Sequence, residues 1–144
     1  MKNIICLFIA PLICVGQNYN GPESIEYNMS DNSYFISNSG NSQILKRNED
    51  GSLSVFVNNV GNGPYGLEIV EDILYACSGG GIKGYDINSG EQVLNYNIGG
   101  VFLNGITHFI DGAGGWLFIT DFSDKKLYRY HIDTQEHLEI IGFA

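Results

Sequence analysis

Pro22-Glu23-Ser24-Ile25, Pro64-Tyr65-Gly66-Leu67 and Leu103-Asn104-Gly105-Ile106 are three versions of one phrase. Each is followed by a strand-like run: Tyr34-Phe35-Ile36-Ser37-Asn38, Ile73-Leu74-Tyr75-Ala76-Cys77 and Trp116-Leu117-Phe118-Ile119-Thr120-Asp121. Each run leads through a polar turn to another strand: Ile44-Leu45-Lys46-Arg47, Ile82-Lys83-Gly84-Tyr85-Asp86 and Leu127-Tyr128-Arg129-Tyr130. A period of about 40 residues made only of short strands predicts an all-β chain, a β-propeller with one four-stranded blade per repeat. The blades are expected at about 21–60, 63–98 and 102–140.

The turns fit this reading. Glu49-Asp50-Gly51, Asn88-Ser89-Gly90 and Asp133-Thr134-Gln135 occupy the same place in the three repeats, between the third and fourth strands. Asp, Asn and Gly suit turns that need left-handed backbone angles and side-chain caps. In a propeller the first strand of each blade lines the channel. Small residues at Ser24, Gly66 and Gly105 then let the backbone pass close to the crowded axis. A propeller needs four to eight blades, and six would take on the order of 240 residues. With 144 residues this chain carries about half of such a ring. The 144 residues are expected to be the N-terminal half of a longer protein whose remaining blades close the ring; the alternatives are a second copy that closes it and a stable open stack of three blades.

The first sixteen residues differ in kind. Lys2 precedes a nearly unbroken apolar run from Ile4 to Val15, and Cys14-Val15-Gly16 places small residues ahead of Gln17. This pattern predicts a secretory signal peptide over 1–16, with a propeller domain over 17–144, and a secreted or periplasmic location. The run is too short to span a bilayer. Removing it takes away Lys2 and leaves six basic residues against 16 acidic ones. Such a surface argues against nucleic acid and against anionic membranes. Cys6 and Cys14 leave with it, so Cys77 is a lone cysteine in an apolar strand and reads as a core residue.

Few residues carry a chemical signature. Gly79-Gly80-Gly81-Ile82-Lys83-Gly84 matches G-x-G-x-x-G, but a strand and a turn follow where a nucleotide site needs a helix. His108, His131 and His137 have no metal-ligand spacing and read as packing or surface residues. Asp111-Gly112-Ala113-Gly114-Gly115 reads as a turn. Glu23 and Asn104 precede the inner strands of blades one and three, on one mouth of the channel. A carboxylate and an amide oxygen there are hard ligands for a divalent cation; the other reading is that they cap turns.

The repeats also resemble a known family. Glu23-Ser24-Ile25-Glu26-Tyr27, the run ending Phe35-Ile36-Ser37-Asn38, and Phe102-Leu103-Asn104-Gly105-Ile106 with Leu117-Phe118-Ile119-Thr120-Asp121 resemble blades of the regucalcin/gluconolactonase/luciferin-regenerating-enzyme propellers. Gly63-Pro64-Tyr65-Gly66-Leu67 is also typical of NHL-type propellers. The resemblance covers the whole chain after the signal peptide. It implies a six-bladed ring with Ca²⁺ or Zn²⁺ at the channel mouth and hydrolysis of sugar lactones or related esters. It implies Glu23 as a metal ligand and Asn104 as a substrate or metal contact. Two departures stand out: Gly105 replaces the family's Asp, and no Arg precedes Asn104. These departures keep open a second reading, a non-catalytic propeller that binds a carbohydrate, peptide or protein.

Export is the most direct expectation to check. Mass spectrometry of the exported chain should find Gln17, or its cyclised form, at the N-terminus. An intact Met1 or Lys2 on the exported chain would refute the cleavage.

Overall fold

The computed structural model describes residues 19–112 and 114–142; the expected signal peptide lies outside them. β1 (Pro22–Asn28), β2 (Ser33–Asn38), β3 (Gln43–Arg47) and β4 (Leu53–Val57) form the first sheet. β5 (Leu67–Val70), β6 (Ile73–Ser78), β7 (Gly81–Asp86) and β8 (Gln92–Asn97) form the second. β9 (Leu103–Asp111), β10 (Gly114–Asp121), β11 (Lys126–His131) and β12 (His137–Gly142) form the third. Every sheet is an antiparallel meander in chain order. The chain is therefore three four-stranded blades, and the first strands of successive blades lie side by side, β1 against β5 and β5 against β9. Among the described residues, one 3₁₀ turn, Ser39–Asn41, interrupts the β structure.

Side chains alternate across a strand, so each blade has two faces. β6 shows how they are used. Leu74 and Ala76 point toward blade one, into a core with Phe35, Ile44, Val57 and Leu67. Tyr75 and Cys77 point the other way, into a core with Ile82, Leu117, Ile119 and Tyr130. The middle blade thus reads as nearly continuous apolar sequence, because both faces are buried. Each large core side chain contributes roughly 1.5–3 kcal/mol by leaving water. Cys77 is fully buried, and burial pushes its thiol up to about 12. It is packing material, not a nucleophile.

The hairpins are set locally. Gly79 and Gly80 close the turn between β6 and β7, so the glycine-rich stretch is a hairpin. At the outer turns the left-handed position is Gly51 in blade one, Gly90 in blade two and Gln135 in blade three. Asp86 Oδ1 caps its turn by accepting the N–H groups of Asn88 and Ser89 at 3.0 and 2.8 Å.

The segments entering each blade are held by the end of its second strand. Asn38 Oδ1 accepts the N–H of Asn20 at 2.6 Å. The buried Asp121 carboxylate accepts the N–H groups of Val101 (2.6 Å) and Phe102 (3.1 Å), and those of Ser123 and Asp124. Burial pushes this carboxyl up, but the four N–H donors outweigh it and hold it below the ordinary value.

Inner strands crowd where blades converge. A Cβ on Gly66 would lie 2.2 Å from the carbonyl oxygen of Asn104. That contact is backbone on backbone between blades two and three, and it cannot relax by a rotamer change. Gly66→Ala is therefore expected to destabilise the chain by about 2 kcal/mol or more, as overpacking does. Thermal unfolding should show a drop of several degrees; an unchanged midpoint would remove the close approach.

Candidate functional site at the inner-strand entrances

Each inner strand begins with an irregularity. Pro22 pairs with Asn38 and Ile25 with Ile36, which leaves one extra residue on β1. Leu103 pairs with Asp121 and Ile106 with Ile119, which leaves one extra residue on β9. These are β-bulges, devices that bend a strand and re-aim its side chains. Glu23 sits in the first bulge and Asn104 in the second. In blade two, Tyr65 and Gly66 share one partner: the Tyr65 N–H donates to the Cys77 carbonyl and the Cys77 N–H to the Gly66 carbonyl.

The clamp for each bulge comes from one position of the second strand. Ser37 Oγ accepts the N–H groups of Glu23 (3.3 Å) and Ser24 (2.7 Å). Thr120 Oγ1 accepts the N–H of Gly105 at 3.0 Å. Cys77 holds the same place in blade two through its backbone. Gly105 is small for this reason: an added Cβ would meet Thr120 Oγ1 at 2.8 Å in its own blade.

The three inner strands run in register. The Leu67 N–H of β5 donates to Ser24 Oγ of β1 at 3.3 Å, and Gly66, just before β5, lies against Asn104 of β9. The bulges therefore stack beside one another at one end of the inner strands. Glu23 is exposed and borders an open depression of about 360 Å³ with Tyr19, Pro22, Ile25, Ile36 and Arg47. Asn104 is half-buried, two strands away. Between them, the segment entering β5 presents Tyr65 and Gly66, which carry no carboxylate. Among the described residues, no group of three or more His, Cys, Asp or Glu side chains is gathered for a metal ion.

A second feature lies two residues further along the same strands. Glu26 of β1 reaches the N–H of Ile69 on β5, and Glu68 of β5 pairs with His108 Nδ1 on β9. Ser24 on Leu67 and Glu26 on Ile69 cap the open edge of β5 with side chains from β1. Unpaired edge groups are otherwise costly. Burial raises the Glu26 carboxyl and the nearby Glu68 raises it further, while the Ile69 N–H and His108 pull it back. The net shift is upward. His108, which reads from its spacing as a packing or surface residue, is partly exposed and paired with a carboxylate. The signal was present: Glu26, Glu68 and His108 stand about one blade period apart, which is the spacing of facing residues on neighbouring inner strands.

No known family pattern matches the sequence, and no curated protein matches it. Solved structures do. A nidogen/laminin complex aligns with a TM-score of 0.73 and 13% identity, over 86% of this chain and 49% of that one. Virginiamycin B lyase from Staphylococcus aureus aligns with a TM-score of 0.69 and 24% identity, over 85% and 42%. A gluconolactonase from Xanthomonas campestris aligns with a TM-score of 0.66 and 15% identity, over 85% and 47%. The fold shared with these structures is that of a β-propeller, and the chain spans just under half their length.

Glu26 tests the electrostatics of the inner strands. A carboxyl raised in the folded state binds its proton more tightly there than in the unfolded chain. It then lowers stability as pH rises from about its ordinary 4.5 through its folded value. Glu26→Gln keeps an oxygen for the Ile69 N–H and removes the charge. The variant should melt above wild type at pH 7 and lose that advantage at pH 4. A variant melting below wild type at pH 7 would show that attraction to His108 wins.

Proposed function

We propose that this chain supplies three blades of an exported, gluconolactonase-like propeller that hydrolyses a lactone or related ester at one mouth of its channel. The observation that supports the reading is the pair of equivalent bulges that carry Glu23 and Asn104 onto the same end of the inner strands. In this reading Asn104 positions the substrate through its amide. His108, with Nδ1 donating to Glu68, offers Nε2 as a proton acceptor further along the channel wall.

The metal part of the reading needs more than these blades. Ca²⁺ takes about six to eight oxygen ligands and Zn²⁺ about four ligands. One carboxylate and one amide do not fit either ion by themselves. Any divalent cation would rest on Glu23 together with donors from the rest of the ring, supplied by further blades of a longer chain or by a second copy.

A second reading has its own observation. A cleft of about 540 Å³ at the outer end of blade three is lined by Tyr96, Trp116, His131, Thr134, Glu136 and His137. Aromatic walls with a few polar groups suit a sugar ring. This supports a binding module for a carbohydrate.

Calorimetry with Ca²⁺ and Zn²⁺ on the closed ring, with lactone hydrolysis measured in parallel, separates the two readings. Glu23→Gln is expected to weaken metal binding by more than about tenfold, a loss that even an outer-shell partner can cause, and to lower turnover. Equal binding and turnover with Gln at 23 would end the assignment of Glu23. A ring that binds neither ion and turns over no lactone would leave the binding module.

A further inference from the structure

The end of the inner strands away from the bulges holds a cavity of its own, between blades two and three. Glu71, in the turn from β5 to β6, stands on one side of it, and Asp133, just after β11, on the other. Its volume is about 170 Å³. Ile73, Ile110 and Ile132 line the walls, and Tyr75 reaches in from the core between the blades. Gly114 keeps the opening clear: a Cβ there would lie 2.6 Å from Asp133 Oδ2 and 2.9 Å from His131 Nε2.

The polar groups of this cavity are not used by the fold. Tyr75 is only 3% exposed, yet among the described residues its hydroxyl makes no hydrogen bond. A buried hydroxyl ordinarily has a partner. Burial pushes the Tyr75 phenol up, and the Glu71 and Asp133 carboxylates push it further, so both carboxylates face the same hydroxyl. Among the described residues, neither Glu71 nor Asp133 has a hydrogen bond or an ion pair. Two unpaired negative charges around a concavity with apolar walls focus their field on whatever enters it.

We propose that this cavity binds a primary ammonium group carried on a short alkyl chain. An ammonium has three N–H donors, and the cavity offers three acceptors: the Glu71 carboxylate, the Asp133 carboxylate and the Tyr75 hydroxyl oxygen. The isoleucine walls take the methylenes, as apolar surface does for the stem of a lysine. A divalent metal ion suits the place less well. Ca²⁺ takes about six to eight oxygens and Zn²⁺ about four ligands, and isoleucines supply none. Among the described residues, no third His, Cys, Asp or Glu joins the two carboxylates in a metal-binding group. A free alkylamine and the lysine side chain of a protein share this chemistry. The site is separate from the inner-strand entrances and does not depend on lactone hydrolysis there.

Calorimetric titration of the full-length protein at pH 7 tests this with n-butylamine hydrochloride, Nα-acetyl-lysine methylamide, 1-butanol and CaCl₂. Saturable binding of butylamine is expected, and 1-butanol, of the same length but uncharged, should not bind. Glu71→Gln and Asp133→Asn should each weaken amine binding by about tenfold or more, since each removes a charge-assisted hydrogen bond. Both residues are exposed, so these variants should melt with wild type. Tyr75→Phe removes only the hydroxyl and should weaken binding by about threefold or more. Binding of the lysine amide as tightly as butylamine would support the proposal with a protein lysine as the source; binding of butylamine alone would support it with a free amine. Absence of saturable amine binding would overturn the proposal. So would equal binding by both carboxylate variants, or Ca²⁺ binding that displaces the amine and makes the cavity a metal site.

Discussion

A β-sheet with two apolar faces has to be covered twice. The middle blade meets that requirement completely: Leu74 and Ala76 are buried by blade one, Tyr75 and Cys77 by blade three. Face-to-face burial sets the stacking of the blades and the crowding of β1, β5 and β9 at the axis. The same requirement leaves the outer faces of blades one and three as the unsolved part of the fold. Covering such a face is worth about 25 cal/mol for each Å² of apolar surface removed from water.

Crowding at the axis has a chemical by-product. Inner strands that approach backbone to backbone, as Gly66 does to Asn104, need small residues and local bends. The bends are bulges held by Ser37, Cys77 and Thr120, and each places one residue at the same end of the strands. Glu23, Tyr65 and Asn104 occupy those places. Only two of the three carry a hard oxygen donor. Further along, the open edge of β5 donates its Leu67 and Ile69 N–H groups to Ser24 Oγ and the Glu26 carboxylate, and Glu68 turns to His108. Edge satisfaction and charge placement are there the same contacts.

The likeness to solved propellers concerns architecture. A nidogen/laminin complex, a lyase and a gluconolactonase share the blade stack at 13–24% identity, although they are proteins of different kinds. A blade stack constrains face packing and inner-strand crowding, and both tolerate wide sequence change. The chemistry resides in the few side chains that bulges and loops present.

The repeat, the strands, the outer turns and the burial of Cys77 were legible in the sequence alone. They follow from alternation within a strand and from turn chemistry, which act over a few residues, and from a period that repeats three times. The two bulges were foreshadowed only as small residues at Ser24 and Gly105; the extra residue in each pairing is a property of two strands together. The Glu26, Glu68 and His108 ladder was likewise decided in three dimensions. It depends on inner strands of different blades lying in register across about 40 residues of chain, a distance over which no local preference operates. The outer faces belong to the tertiary structure for the same reason. Ile25 and Leu67 read alike in sequence, and only the stacking of blades buries one and leaves the other exposed.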